Sequence, residues 1–121
     1  MARAEDWPQW GGRPARNMYS SEKNLPDRFD PGKLKSGTEQ VDMATTKNVK
    51  WVGKLGSQSY GNVTVAGGKV FVGTNNDSPR DPKHQGDRSI LMVFDEKTGD
   101  FLWQEIHQLI TGFKAELKSI R

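Results

Sequence analysis

From residue 61 to 104 the chain alternates short β-rich runs with glycine and aspartate turns, and this pattern restricts the fold more than any other feature. In "GNVTVAGGKVFVGT" (61–74) two such runs flank Ala66-Gly67-Gly68-Lys69. The paired Gly67 and Gly68 supply the positive φ that a tight hairpin turn needs. "RSILMVFD" (88–95) has strand length and enough apolar residues to be buried on both faces. "DEKTG" (95–99) follows as a turn. Asp95 can accept backbone amides two or three residues on, and Gly99 can take the left-handed position. "DFLWQ" (100–104) then reads as a fourth strand, ending near Trp103. Consecutive strands joined this way predict a four-stranded antiparallel meander.

A further strand is expected before the meander. "VKWVGKL" (49–55) places Val49, Trp51, Gly53 and Leu55 on one face and Lys50, Val52 and Lys54 on the other. Residues 1–48 read differently. They are rich in Pro and Gly and poor in β-branched residues, so they cannot bury enough surface for a core of their own. They are expected to form an extended arm lying on other structure, anchored by Trp7, Trp10, Met18, Tyr19, Leu25 and Phe29, with 31–40 its most mobile part. Trp7 and Trp10 are read as anchors rather than as a carbohydrate platform.

The tail "EIHQLITGFKAELKSIR" (105–121) changes period. Ile106, Leu109, Ile110, Phe113, Leu117 and Ile120 recur at spacings of three and four. This predicts an amphipathic helix over 105–119, docked on the sheet through its apolar stripe. The expected class is therefore all-β, with an arm over 1–48, a strand-and-meander unit over 49–104 and a C-terminal helix over 105–121.

Composition excludes several functions. With no cysteine there are no disulfides, thiolate metal sites or cysteine nucleophiles. The net charge of +3 is spread as single Lys and Arg residues rather than a basic stripe, which argues against nucleic acid. No apolar run has membrane-spanning length. The 75–88 stretch, "NNDSPRDPKHQGDR", is a long polar loop. Its Asp77, Asp81, His84 and Asp87 lack EF-hand spacing and are read as solvated. Ser57 and Ser59 have no evident histidine partner, and "GGRPARN" lacks the Gly-Lys-Ser of a P-loop. No catalytic, cofactor-binding or metal residue is assigned. Ala2-Arg3-Ala4 has the form that precedes signal-peptidase cleavage, but no apolar leader segment comes before it. A trimmed exported protein and a chance match both remain open.

One internal repeat stands out. "DMATTKNVKW" (42–51) and "DEKTGDFLW" (95–103) share an Asp, a Thr, a polar turn and a final Trp, and Trp51 and Trp103 stand 52 residues apart. The first copy has Thr46 where the second has Gly99. The second copy, Asp95, Thr98, Gly99 and Trp103, resembles the closing motif of the PQQ-like β-propeller repeat family. The hairpin "VAGGKVFVGT" and the opening "DWPQWGG" are similar to other parts of that family. The resemblance covers about 5–104.

It implies one propeller blade at 61–104, the outermost strand of another at 49–55, and the repeat's Trp docked on a neighbouring blade. It further implies a larger, periplasmic or secreted parent protein, of which this chain is an N-terminal piece. The tail departs from the pattern. The adjacent cysteines and calcium ligands of the family's quinoprotein dehydrogenases are not matched, so no cofactor is expected. The implied function is a noncatalytic structural or protein-binding piece, its partner the remaining blades or an unknown protein. The alternative is part of an exported PQQ-dependent oxidoreductase whose catalytic residues lie outside the chain. Two energetic expectations follow: Trp103 is a buried anchor of the sheet, and the 75–88 loop is dispensable. With one blade and open edges, the chain is also expected to be weakly stable and to self-associate.

Overall fold

The structure is a computed structural model that describes residues 5–108. A four-stranded antiparallel sheet forms its centre, with strands in the order of the chain. A two-stranded hairpin precedes it, so β1 is Lys33–Leu34 and β2 is Val41–Asp42. The central sheet comprises β3 (Thr64–Ala66), β4 (Lys69–Asn75), β5 (Arg88–Asp95) and β6 (Phe101–Gln108). A short 3-10 turn, Met43–Thr45, is the one helical element among the described residues.

The expected meander is present, and its turn chemistry is as the glycines require. Gly67 and Gly68 have φ of 58° and 76°, which only a mirror-image two-residue turn combines. Residues directly opposite in the ladder share a face of the sheet. Val70, Val72 and Thr74 of β4 therefore share one face with Ile90, Met92 and Phe94 of β5. This face carries the core, and Trp51, Leu55, Val65 and Ile106 pack on it. The opposite face carries the row Phe71, Val93 and Trp103.

A bulge separates the pairs Val93↔Trp103 and Phe94↔Phe101, leaving Leu102 as the extra residue. Without it the alternation would send Phe101 to the far side. With it Phe101 meets Phe94 edge-on, ring centroids 5.9 Å apart.

Three expectations need correction. First, β6 does not stop at 104: Glu105, Ile106, His107 and Gln108 continue the ladder opposite Leu91, Ile90, Ser89 and Arg88. The helix expected from 105 is thus replaced by strand over 105–108. Ile106 on the core face and exposed Glu105 and His107 on the other also fit a period of two, and seven ladder pairs with β5 outweigh a weak helical pattern. The rest of the expected helix, 109–119, lies outside the described residues. Second, 49–55 is extended and alternates half-buried with exposed residues, yet it joins no sheet. It lies across the core face, and Gly53 sits against the Phe94 ring.

Third, the arm is held mainly by its backbone. Trp7 pairs with Val65 through two hydrogen bonds of 2.7 and 2.9 Å, covering the outer edge of β3. The Trp7 ring lies under Gly12, where a Cβ would come within 2.6 Å of it. Trp10, Met18, Tyr19, Leu25 and Phe29 are each about 60–70% exposed and anchor nothing. Residues 31–40 are organised by the β1–β2 hairpin and by Lys35 N–H donating to the Gln40 carbonyl.

Candidate functional site

The turn between β5 and β6 is built around one carboxylate. Asp95 Oδ1 accepts from the backbone N–H of Lys97 at 2.8 Å and of Thr98 at 2.9 Å. Those amides, Thr98 first, hold its carboxyl below its usual pKa. Thr98 Oγ1 also bonds Asp100 Oδ2 at 2.7 Å. Gly99 closes the turn with φ of 77°, donating its N–H to the Asp95 carbonyl at 2.9 Å. The two turns at this end of the sheet are tied together, since Glu96 N–H donates to the Gly68 carbonyl at 3.0 Å.

Trp51 occupies this turn. Its ring lies on Gly99, so closely that a Cβ there would come within 2.5 Å of Cδ2. Its Nε1–H donates to the Glu96 carbonyl at 2.9 Å. It also stacks on Phe94, at 6.1 Å and 29°. Asp95, Thr98, Gly99 and Trp51, four residues singled out in the sequence, therefore meet at one place, and Gly68 supports it from the neighbouring turn.

Trp103 does not meet them. It projects from the other face of the sheet, opposite Val93, and is 44% exposed. The expectation that it is a buried anchor is overturned: pairing with Val93 puts Trp103 on the face away from the core, and the bulge at Leu102 turns Phe101 alone toward it.

The first repeat copy keeps part of the turn. Asp42 Oδ1 accepts from Ala44 N–H at 3.1 Å, two residues on, as Asp95 does from Lys97. Thr46 is extended (φ −85°), so it does not take the left-handed position that Gly99 takes in the second copy.

The 75–88 stretch is more organised than its composition suggested. Asn76 is buried, and its Nδ2 donates to the carbonyls of His84 and Gly86 at 2.7 and 3.0 Å, pinching the loop shut. Arg80 reaches back over the core face, its guanidinium 4.4 Å from the Phe101 ring and 5.7 Å from Phe94. Nothing in the spacing of "NNDSPRDPK" announces this clamp. A buried Asn beside a strand end was its one available signal.

The polar residues do not converge into a reactive or metal-holding set. Among the described residues no three His, Asp or Glu side chains lie where they could share a metal ion. Ser57 donates to Asp77 and accepts from Asn75 Nδ2 at 3.1 Å, while Ser59 donates to the Gly73 carbonyl. The His84 imidazole lies 3.7 Å from Asp81. These hydroxyls stitch 56–59 to β4, aided by Thr74 Oγ1, which accepts from Gly56 N–H and donates to the Gln58 carbonyl. Among the described residues no helix is long and apolar enough to cross a membrane.

No family model, curated protein or solved structure matches this chain.

Proposed function

We propose that this chain is a noncatalytic, protein-binding segment of a PQQ-like β-propeller, in which sheets are joined in series through tryptophans. The observation that carries this reading is the seat of Trp51 on the Gly99 turn. Trp51 closes one repeat copy and rests on the turn of the next. Trp103 closes that next copy, is half exposed, and leaves the sheet on the face opposite the one Trp51 covers. A unit that receives an indole on one face and offers one from the other is suited to head-to-tail stacking. The family's enzymes need a cofactor and metal set that has no counterpart in the residues brought together here.

Appending residues 57–108 after Gln108 tests the reading, because Trp103 then stands before the added unit as Trp51 stands before the first. Trp103 emission should shift to the blue and its acrylamide quenching should fall. Trp103→Ala should destabilise the two-unit protein far more than the single one. Emission and quenching unchanged by the added unit would reject the proposal.

A further inference from the structure

The 75–88 loop does not simply project from the end of the sheet; it turns back along the core face. Asn75↔Ser89 is the rung between β4 and β5 nearest the loop, and Val70↔Phe94 lies five rungs away (75 − 70). Yet the Arg80 guanidinium stands over the rings of Phe94 and Phe101, at 5.7 and 4.4 Å. The loop and this one side chain therefore span roughly 17 Å of sheet, at about 3.4 Å per rung. The turn back is held at its base, where buried Asn76 joins the carbonyls of His84 and Gly86.

On its way the loop grips the segment that leads into the sheet. Arg80 Nη2 donates to the Lys54 carbonyl at 2.8 Å, and Asp77 accepts from Ser57 Oγ. Where the loop begins, Asn75 N–H donates to the Gln58 carbonyl at 3.1 Å. Among the described residues 49–58 takes part in no ladder of the central sheet. It can therefore leave without breaking a rung between β4 and β5. We infer that the 75–88 loop is a clasp that keeps Trp51 in its seat: the loop and 49–58 leave the core face together, in an opening that spares the β4–β5 ladder and empties the place on Gly99. This rests on the protein-binding reading and supplies its control, because the seat can receive an indole from another unit only while the clasp is open.

Arg80 suits this task. A planar guanidinium can lie on aromatic rings with its face while an edge N–H donates elsewhere, so one side chain holds both the sheet and the segment over it. It reads the backbone at position 54 and not the side chain, whose Nζ pairs with Glu39 at 2.8 Å. The clasp also leaves the rest of the 49–55 backbone to neighbouring strands. A carbonyl can accept two hydrogen bonds, so even Lys54 keeps a site for a ladder partner. The grip at Ser57 is made by a side chain on each side, which ties the clasp to this particular segment.

The test is native-state hydrogen exchange in low urea on the full chain, labelled with nitrogen-15. Three N–H groups bond across the surface that the opening would part: Trp51 Nε1–H to Glu96, Gly56 N–H to Thr74 and Asn75 N–H to Gln58. They should exchange with one free energy and one shallow urea dependence, both below those of the β4–β5 ladder. Arg80→Ala should speed the Trp51 indole and the Gly56 amide by the same factor, about two- to fivefold, although Arg80 bonds neither group. Asp77→Ala, on the other grip, should act in the same sense. A Trp51 indole unchanged in Arg80→Ala, acceleration confined to 76–88, or a urea dependence equal to the ladder's would each overturn the inference. The two-unit experiment on Trp103 reads the propeller proposal separately. Uncoupled exchange beside a buried Trp103 rejects the clasp alone, and coupled exchange beside an exposed Trp103 rejects the serial reading alone.

Discussion

The indole of Trp51 lies flat enough on Gly99 that no other residue could stand at position 99 without moving it. Two features meet in that contact. Gly99 has φ of 77°, where a side chain is strained, and the space a Cβ would fill belongs to the ring. Trp51 adds a hydrogen bond to Glu96 and a stacked contact to Phe94, so one side chain couples 49–55 to both the turn and the core.

The first expectation concerns the order of the two repeat tryptophans. Trp51→Ala should cost about 2–3 kcal/mol, from lost apolar burial and one lost hydrogen bond. Trp103→Ala should cost under about 1 kcal/mol in this chain, because the side chain is half exposed. Urea melts of the two variants check this, and a larger loss at Trp103 would be incompatible with the fold described.

Asp95 makes the turn sensitive to acid. Its folded pKa lies below its unfolded value because the amides of Thr98 and Lys97 favour the carboxylate. The stabilisation is therefore present above the unfolded value of about 3.9 and is lost as pH falls through the folded value. Carboxyl titration by NMR should find Asp95 below the ordinary aspartate range. Asp95→Asn should flatten the acid limb of the stability profile, and a profile identical to the parent's would show that the carboxylate contributes nothing to the turn.

The 75–88 loop should matter more than its polarity suggests. Lengthening or shortening a flexible loop changes its closure entropy by only about 0.6 kcal/mol per doubling. Deleting 78–85 here also removes Arg80 from Phe94 and Phe101 and the His84 carbonyl from Asn76, leaving it the Gly86 carbonyl alone. A loss of about 1–3 kcal/mol is expected for the deletion, and about 0.5–1 kcal/mol for Arg80→Ala. Chemical denaturation of both variants decides; a neutral deletion would restore the view of the loop as dispensable.

No saturable binding is expected when the chain is titrated with PQQ and calcium, and no dye reduction with alcohol or sugar substrates. The reasons are positive ones: the serines are engaged with β4, and the loop acids pair locally rather than toward one point. One-to-one binding at micromolar concentration would move the chain into the oxidoreductase reading.

What the sequence made legible was local. Gly67, Gly68, Asp95 and Gly99 announce their turns because the backbone geometry there admits few residue types. The strands between them follow from alternation and apolar runs. The contact of Trp51 with Gly99 was foreshadowed by the repeat, which gave both residues a place in one motif without saying which tryptophan meets which turn. The end of β6 was misread because "EIHQ" satisfies both periods, and pairing with β5 decides between them. That Phe101 and Trp103 lie on opposite faces depends on a one-residue bulge at Leu102, which no residue type there signals. Arg80 and Asn76 act across the fold, on Phe101 and on the far end of their own loop, so spacing carries no trace of them.

The most direct measurement is the proton chemical shift of the Gly99 α-hydrogens. A glycine lying against the face of an indole feels its ring current. At least one Gly99 Hα should therefore resonate well upfield of its random-coil position, show cross-peaks to the Trp51 ring, and return to the ordinary range in Trp51→Leu. It should stay upfield in Trp103→Leu. Gly99 α-hydrogens at ordinary shifts in the parent chain, or upfield shifts that follow Trp103 instead, would contradict the docking of Trp51 on this turn and the serial arrangement built on it.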